Sequence, residues 1–440
     1  MFFPNLLSKV FITLLFIVTS NVSLADVTNK MTSINAGDTA YTIICTALVM
    51  LMTPGLALFY SGMVKNKNPI ATLTHSFIKL SVVTVIWFIC AYSIAFSEET
   101  VNGFFGSLKY SFFENVGMEV TSATTKIPHY VFAIYQGMFA VITSVIITGS
   151  FAERVRLIPI IIFAGIWTVL VYAPIAHWIW AGGWVHKALS PIDFAGGAVV
   201  HINAAVAGLI AAIVIGKKTN EALVYKTTNL PVTILGSGLV WFGWFGFNAG
   251  SALAANEIAG LALANTHIAA ASGAIMWIII SKTFKKKVNL IGVVNGAVTG
   301  LVAITPGAGF VAVKYAMIIG IVASLLSYWG VNYLKPKLGY DDSLDVFGIH
   351  GLGGIWGTIA TGIFCSKSVN SHGLNGLIHG NIDVVVNQIL AIFIIAAYSA
   401  VMTFLILASL KVFMQIKMSS SEEGKGLDKL EHGEEGYTIY

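Results

Sequence analysis

The chain has 440 residues, of which 56% are hydrophobic and 10% charged, and its formal net charge is +5. Soluble domains contain roughly 25% charged residues, so this composition excludes an ordinary soluble protein and indicates a membrane protein. In such a protein a small positive charge is a signal of topology and does not point to a nucleic-acid partner. The sequence shows no Walker motif, nucleotide fingerprint or Cys/His metal-site spacing, which argues against an ATP-driven pump.

The first 25 residues are predicted to form a secretory signal peptide. Residues 11–18 make a short apolar core behind Lys9, and the small residues Ser23 and Ala25 precede Asp26. This core is shorter than the ~20 apolar residues that cross a bilayer. An uncleaved membrane anchor is the alternative. Cleavage would place the mature N-terminus outside the cytoplasm.

Long apolar runs predict an all-α polytopic membrane protein, with eleven transmembrane helices in a membrane domain of residues 26–413. Each run is close to the ~20 residues that a spanning helix requires. The predicted spans cover residues 39–64, 70–96, 129–151, 157–180, 194–216, 230–250, 262–281, 289–305, 311–334, 346–365 and 385–413.

The positions of Lys and Arg support one orientation of these spans. With the N-terminus outside, an odd number of crossings leaves residues 414–440 as a cytoplasmic tail. The connections assigned to the inside contain Lys65, Lys67, Arg154, Arg156, Lys217, Lys218, Lys226, Lys282, Lys285, Lys286, Lys287, Lys335 and Lys337. Those assigned to the outside contain Lys109, Lys126, Lys187, Lys314 and Lys367. This excess on the inside is the bias that cytoplasmic loops carry.

Two predicted spans have a histidine a short distance after an aspartate. Asp193 precedes His201 in span five, and Asp345 precedes His350 in span ten. At a helical rise of ~1.5 Å per residue both imidazoles would lie well inside the membrane. An ionisable group at that depth marks a substrate or proton path by default. A lone buried histidine is more often a packing residue, but its recurrence in a second segment favours a function.

The same two spans predict an internal repeat. An odd number of crossings separates them, so one helix runs inward from its aspartate and the other outward. This arrangement predicts an inverted five-plus-five repeat, with the functional site where the halves meet. The eleventh helix would then lie at the periphery.

The residues alone leave several roles open. The histidines can bond to each other or to a small polar solute, or relay a proton. A metal site is not predicted, because no third ligand is evident at the same depth. Asp193 opens its helix and can cap free N–H groups, and the alternative is that it attracts arriving cations. Lys79, within span two, either snorkels or pairs locally and receives no role in transport.

Aromatic residues cluster near the predicted outer end of the spans. They form either an interfacial belt or a box that binds a small cation on its ring faces. Ser251 would add a hydroxyl acceptor beside that box. The cluster consists of Tyr135, Phe139, Trp180, Trp184, Trp244 and Phe247.

Four segments carry long, specific patterns. They read Asp193-Phe-Ala-Gly-Gly-Ala-Val-Val-His201-Ile-Asn-Ala, Trp241-Phe-Gly-Trp-Phe-Gly-Phe-Asn-Ala-Gly-Ser251, Ala255-Asn-Glu-Ile258 and Asp345-Val-Phe-Gly-Ile-His350-Gly. They resemble the signatures of the ammonium transporter family (Amt, methylammonium permease and Rhesus proteins), and its bacterial Amt branch in particular. The resemblance covers essentially the whole mature chain.

The resemblance implies roles for individual residues and a homotrimer with one pore per subunit. His201 and His350 match the family's twin pore histidines, and Asp193 matches its buried structural and recruitment aspartate. The other matches concern the entrance. Phe139 and Phe247 correspond to the stacked pore gate, and Trp180 and Ser251 to the outer ammonium site. Tyr135 stands where many members have a further gating Phe, and one extra residue separates Trp180 from Asp193.

The polar C-terminal tail, residues 414–440, has its own resemblance. Its composition alone indicates a solvated segment. Residues 426–437 resemble the cytoplasmic tail of bacterial members, which couples subunits and contacts PII-type nitrogen regulatory proteins. The residues that carry this likeness are Gly426, Asp428, His432, Gly433 and Glu434.

The expected function is uptake of ammonium, and of methylammonium, across the bacterial inner membrane. The cation would be recruited outside, lose its proton and pass as ammonia through a hydrophobic pore with two histidines. An ammonium sensor that signals through its tail is the main alternative, and a Rhesus-type channel for a neutral solute is a third. Catalysis is not expected, because no nucleophile and base accompany the histidines. No cofactor is expected, and membrane lipid surrounds the protein.

Overall fold

A computed structural model of the chain describes residues 34–120, 125–219 and 228–437, and these form an almost entirely helical protein. The predicted signal peptide, residues 1–25, lies outside the described residues. The helices are α1 (Ala36–Ser61), α2 (Pro69–Phe96), α3 (His129–Phe151), α4 (Leu157–Trp167, continued by Thr168–Tyr172 and Ala173–Trp180), α5 (Trp184–Leu189), α6 (Gly197–Ile215), α7 (Leu230–Gly250), α8 (Glu257–Lys285), α9 (Leu290–Ile304), α10 (Val313–Leu338), α11 (Phe347–Gly351, continued by Leu352–Phe364), α12 (Asp383–Phe413) and α13 (Ser420–Lys425). A short hairpin pairs β1 (Thr100–Val101) with β2 (Phe105–Gly106).

Nine helices in the described part of the chain are long and apolar enough to cross a membrane. Two shorter ones, α9 and α11, lie in the remaining predicted spans. The prediction of an all-α polytopic membrane protein is confirmed, and the helices are consistent with a count of eleven spans.

Asparagine side chains fix the start of several spans. The Asn256 side chain accepts a hydrogen bond from the Ala259 N–H, which is the usual N-cap contact. Helix α8 therefore begins at Glu257, five residues before the span predicted from hydropathy. Asn35, Asn229 and Asn289 cap α1, α7 and α9 in the same way.

Wide π-helical turns interrupt several of the spans. They occur in α4 (Thr168–Tyr172), α6 (Gly197–Ile202), α10 (Gly330–Leu334) and α11 (Phe347–Gly351), and also in α2. The α4/α10 and α6/α11 pairs are those that a five-plus-five repeat relates to each other. Such turns shift the register of a helix and are frequent at functional sites.

Small residues let the two halves approach closely. Helix α1 of the first half packs against α7 of the second, and a Cβ at Gly236 would lie 2.2 Å from the backbone nitrogen of Phe59. Only glycine fits this contact, as is typical of tightly crossing membrane helices. His201 of the first half and His350 of the second meet between these halves.

Candidate functional site

Asp193 sets the start of α6 and thereby the position of His201. Its two carboxylate oxygens accept hydrogen bonds from the N–H groups of four successive residues, 196–199, at 2.6–3.0 Å. Gly196 precedes the π-helical turn with a φ of 110°, which favours glycine. The predicted capping contact of Asp193 is therefore present in the structure. His201, near the end of this turn, is 1% exposed.

A related arrangement positions His350 on α11, where two aspartates, Asp342 and Asp345, precede the helix and either could cap it. The Asp342 carboxylate, not that of Asp345, accepts a hydrogen bond from the Phe347 N–H at 2.8 Å. Asp345 instead pairs with the Lys335 ammonium at 2.6 Å. By its contacts, the counterpart of Asp193 in the second half is Asp342. Asp345 braces the start of α11 through this ion pair.

The two histidines meet where the halves of the protein join. Their Nδ1 atoms are 3.2 Å apart, and the ring centroids are 5.2 Å apart with planes inclined by 22°. One Nδ1 must carry the proton and the other accept it. Residues 149 positions apart in the chain therefore share one hydrogen bond inside the membrane domain.

Trp244 lies deeper than the outer cluster in which the sequence placed it. Its indole stacks on the His201 ring, with centroids 5.2 Å apart and planes 21° apart. The Trp244 Nε1–H donates to Thr305 Oγ1 at 3.0 Å, which fixes the indole in its plane. Trp184 also leaves the cluster, since it packs against Trp178.

A column of buried rings leads from the histidines toward Ser251. Phe247 lies 5.9 Å from His201 and 4.4 Å from Phe139, measured between ring centroids. Phe139 in turn contacts Tyr135 at 5.0 Å and Trp180 at 5.9 Å. The structure thus brings the predicted gate residues together. Phe139 and Phe247 leave little space between them.

Trp180 and Ser251 bound one end of this column, here called the Ser251 end. The Trp180 Nε1–H donates to the main-chain oxygen of Asp193 at 2.8 Å, which fixes the indole beside the start of α6. Trp180 and Asp193 therefore remain in contact despite the extra residue between them in the sequence. Ser251 Oγ donates to the Phe247 carbonyl at 2.9 Å and lies 3.5 Å from the Tyr135 hydroxyl.

On the other side of the histidines the column continues as an apolar cavity. The part of this cavity beside Tyr60 is here called the Tyr60 end. Both histidines contribute to the wall of the cavity. Aliphatic side chains make most of the remainder, so a solute that passes the histidines meets few polar groups. The cavity is lined by, among others, Leu56, Tyr60, Ile146, Val298 and Leu344.

The predicted tail residues lie against the membrane domain. Asp428 accepts hydrogen bonds from the N–H groups of Ile70 at 3.1 Å and Ala71 at 2.8 Å, and so caps α2 from a distant part of the chain. Gly426 has a φ of +93°, and a Cβ there would lie 2.6 Å from the Lys67 carbonyl. The tail turn, Asp428–His432, ends at Gly433, and the Glu434 N–H donates to the Asp428 carbonyl at 3.2 Å.

Two further tail carboxylates were not singled out from the sequence. Glu431 pairs with the Arg156 guanidinium at 3.2 Å and accepts from the Leu157 N–H at the start of α4. Glu423 accepts from the Thr219 N–H at 2.8 Å. An alternation of acidic and polar residues in a solvated segment gives no signal of such long-range contacts.

A buried carboxylate lies beside the tail, in the wall of a small cavity that Glu423 also lines, and joins loop segments of the membrane domain. Glu153 accepts from the Lys65 N–H at 2.7 Å and from the Asn68 amide at 3.1 Å, and it pairs with Lys218 at 3.0 Å. Burial acts to raise the pKa of Glu153, but the Lys218 charge and these hydrogen bonds outweigh it and hold the pKa below its usual range. Burial raises the pKa of Asp428, and its N–H bonds oppose this only in part.

Lys79 is fully buried and pairs locally, so it does not snorkel to the membrane surface. Its ammonium donates to the Ser144 carbonyl at 2.8 Å and to Thr148 Oγ1 at 2.7 Å, and lies 5.4 Å from the Phe151 ring centroid. These partners belong to the C-terminal end of α3, where the helix dipole favours a cation.

Comparisons with known proteins agree with this architecture. A model of the Ammonium Transporter Family matches residues 40–437. An ammonium transporter of Bacillus subtilis is 46% identical over 401 residues, which cover 91% of this chain and 98% of that protein. One from Aquifex aeolicus is 42% identical over 407 residues, covering 92% and 94%.

Solved structures show the same fold. The crystal structure of Saccharomyces cerevisiae Mep2 superposes with a TM-score of 0.84 at 34% identity, covering 90% of each chain. A solved sensor Amt protein superposes with a TM-score of 0.83 at 26% identity, covering 92% of this chain and 99% of that one.

Proposed function

We propose a transport mechanism for this chain, which belongs to the ammonium transporter family, in its bacterial Amt branch, and is therefore a membrane transporter rather than an enzyme. Its substrate is ammonium. The observation that carries the mechanism is the hydrogen-bonded pair of His201 and His350, at 3.2 Å, in the middle of an otherwise apolar column. We assign uptake of ammonium and methylammonium to this column.

Recruitment takes place at the Ser251 end. The ring faces of Phe139, Tyr135 and Trp180 attract a small cation once it has lost part of its water, and the Ser251 hydroxyl offers an acceptor. The Asp193 carboxylate is occupied by four N–H groups. It therefore favours the cation through its charge and through the placement of Trp180, without touching the ion.

The cation then loses its proton, because a bare ion cannot enter the apolar column at a reasonable cost. Burial of an isolated ammonium ion in a low dielectric costs on the order of tens of kcal/mol. Neutral ammonia avoids this cost and passes when the Phe139 and Phe247 rings of the gate turn aside. His201, the histidine next to Phe247, accepts the proton. A proton passes to His350 along the hydrogen bond that the two rings share, and His350 releases one on the Tyr60 side. Ammonia and proton rejoin as ammonium beyond the Tyr60 end.

We propose the topology, assembly and regulation that the sequence pattern and the family resemblance favour. The mature protein begins after residue 25 and lies in the bacterial inner membrane. Its N-terminus is in the periplasm, and residues 414–440 are in the cytoplasm. Three copies form a homotrimer with one pore each, surrounded by lipid. The tail, through Gly426, Asp428, His432, Gly433 and Glu434, presents a surface to a PII-type regulatory protein.

Transport is tested with the full chain in liposomes. Wild-type protein should give an ammonium-dependent current and take up labelled methylammonium, and liposomes without protein should do neither. Equal fluxes in the two preparations would reject the proposal. An excess of potassium should leave most of the ammonium flux unchanged. Potassium has no proton to lose, so it would have to enter the apolar column as a bare ion.

Sensing is a second candidate function, favoured by the likeness to the solved sensor Amt protein and by the many contacts of the tail. A chain that ends at Met418 removes these contacts while the spans remain. Under the sensing hypothesis it loses a cellular nitrogen response and keeps full uptake. Under the transport proposal the truncated chain changes the cellular nitrogen response only in proportion to any change in ammonium uptake.

A further inference from the structure

The Ser251 end contains a group of oxygen atoms at the C-terminal end of α7. The Ser251 N–H bonds to the Asn248 carbonyl at 3.2 Å, which closes the last turn in the tighter i to i−3 manner. One residue earlier, the Phe247 carbonyl accepts from two side chains. These are the hydroxyls of Ser251 at 2.9 Å and of Tyr135 at 3.1 Å.

Both hydroxyl protons are thus directed toward the main chain. Tyr135 Oη lies 3.0 Å from the Gly246 carbonyl and 3.1 Å from that of Phe247. A hydroxyl has one proton and two acceptor lone pairs, so one that donates to a carbonyl offers its surroundings only acceptors. The oxygens of Tyr135 and Ser251 are 3.5 Å apart. Together they suit a cation that carries N–H donors.

The end of the helix strengthens this preference. The C-terminal end of a helix carries a partial negative charge that favours a cation, and helix ends of this kind bind cations in membrane transporters. A Cβ at Gly250 would lie 2.6 Å from the Tyr135 hydroxyl oxygen. The glycine at this position therefore lets the hydroxyl reach the helix end.

Two rings stand edge-on to Phe139 next to the group. The planes of Tyr135 and Trp180 stand at 70° and 87° to that of Phe139. A cation on these faces gives up water, and each N–H group that loses a water molecule needs a new acceptor. The two hydroxyls are the side-chain acceptors that the described contacts place there.

We propose that the Tyr135 hydroxyl contacts the substrate and determines specificity, by accepting an N–H bond from a bound ammonium ion together with the Ser251 hydroxyl. This inference rests on the proposed function and assigns a share of the affinity to the oxygen of Tyr135 rather than to its ring. The ligand class is a small cation with at least two N–H bonds. Potassium has none, and its sites replace a hydration shell with rings of oxygens, which two hydroxyls do not form.

The test is Tyr135→Phe in the full chain, reconstituted in liposomes, with flux measured against ammonium concentration. Loss of one charge-assisted bond predicts a KM about tenfold higher, with a maximal rate within about twofold of wild type. Potassium should compete better in the variant. Tyr130→Phe is the matched control, since Tyr130 lies on the same helix, is 44% exposed, and should leave KM unchanged.

The outcomes separate this inference from the proposed function. Normal transport by wild type with an unchanged KM in Tyr135→Phe overturns the inference alone, and so does a change confined to the maximal rate, which would indicate a gate. No transport by wild type overturns the proposed function instead. If Tyr135→Phe does not fold, Gly250→Ala displaces the hydroxyl without removing it. It must raise KM as well, and an unchanged KM there overturns the inference.

Discussion

The indole of Trp244 lies flat against the imidazole of His201, with ring centroids 5.2 Å apart and planes inclined by 21°. The Thr305 hydroxyl fixes the indole through its N–H. His201 is therefore held on one face by Trp244 and at its edge by His350. The geometry of the histidine pair depends on a residue that does not itself exchange protons.

Trp244→Leu should release the His201 ring and slow conduction. Stacking of this kind is worth about 0.5–1.5 kcal/mol, so a roughly three- to tenfold fall in maximal rate is expected. The apparent affinity for ammonium should stay unchanged, because Trp244 lies away from the Ser251 end. Concentration-dependent flux in liposomes separates the two parameters. Trp329→Leu, at a 49% exposed position, serves as control, and an effect on KM alone would contradict the positioning role.

Lys79 and Thr148 give a prediction about stability. Thr148→Val leaves the buried Lys79 ammonium without one of its acceptors and should cost about 1–3 kcal/mol. Lys79→Met removes the charge and fills the same space, and such replacements are often close to neutral. Thermal unfolding in detergent should therefore rank Thr148→Val below Lys79→Met, with the double variant near Lys79→Met. The reverse ranking would show that the charge itself stabilises the fold.

Asp428 should control the docking of the tail. Asp428→Ala removes the cap of α2, worth about 1 kcal/mol, and should raise the undocked fraction about fivefold. Trypsin cleavage after Lys425 reports this fraction. Substitution of the exposed Lys429 by Gln is the control, since it should leave the rate at Lys425 unchanged. Equal cleavage rates in wild type and Asp428→Ala would mean that other contacts hold the tail.

Glu153 gives a prediction about pH. Its folded-state pKa lies below the usual range, so its contribution to stability is present above the pKa of the unfolded chain. That contribution is lost as the pH falls through the folded pKa. Glu153→Gln should therefore be less stable than wild type at pH 7, and the difference should shrink below about pH 4. Thermal unfolding at several pH values measures it, and a difference that is constant with pH would contradict this assignment.

Hydropathy predicted the spans well because each apolar run must satisfy its backbone as a helix in lipid. It could not place Trp244. In α7, residues 241–247 include five aromatic residues, which point to all sides of the helix except the one where Gly243 and Gly246 pack against α1. The pattern therefore does not tell which ring faces a histidine on another span.

The site was predicted through His201 and His350, because charged or titratable groups are rare in membrane helices. The sequence did not distinguish Asp342 from Asp345, since both precede α11 and only the chain path decides which carboxylate reaches its N–H groups. The helix caps that the tail carboxylates provide could not be predicted from the sequence for a similar reason. Asp428 and Ile70 are 358 positions apart, and no local pattern relates them.

Simultaneous recording of ammonium current and methylammonium uptake in single histidine variants tests the central claim most directly. His201→Ala and His350→Ala should each reduce the current to the level of protein-free liposomes, because either change breaks the shared Nδ1 hydrogen bond. Binding at the Ser251 end, seen as thermal stabilisation by ammonium, should persist. His379→Ala, at an exposed position, should behave as wild type. Currents and ion selectivity that survive both pore substitutions would contradict the account.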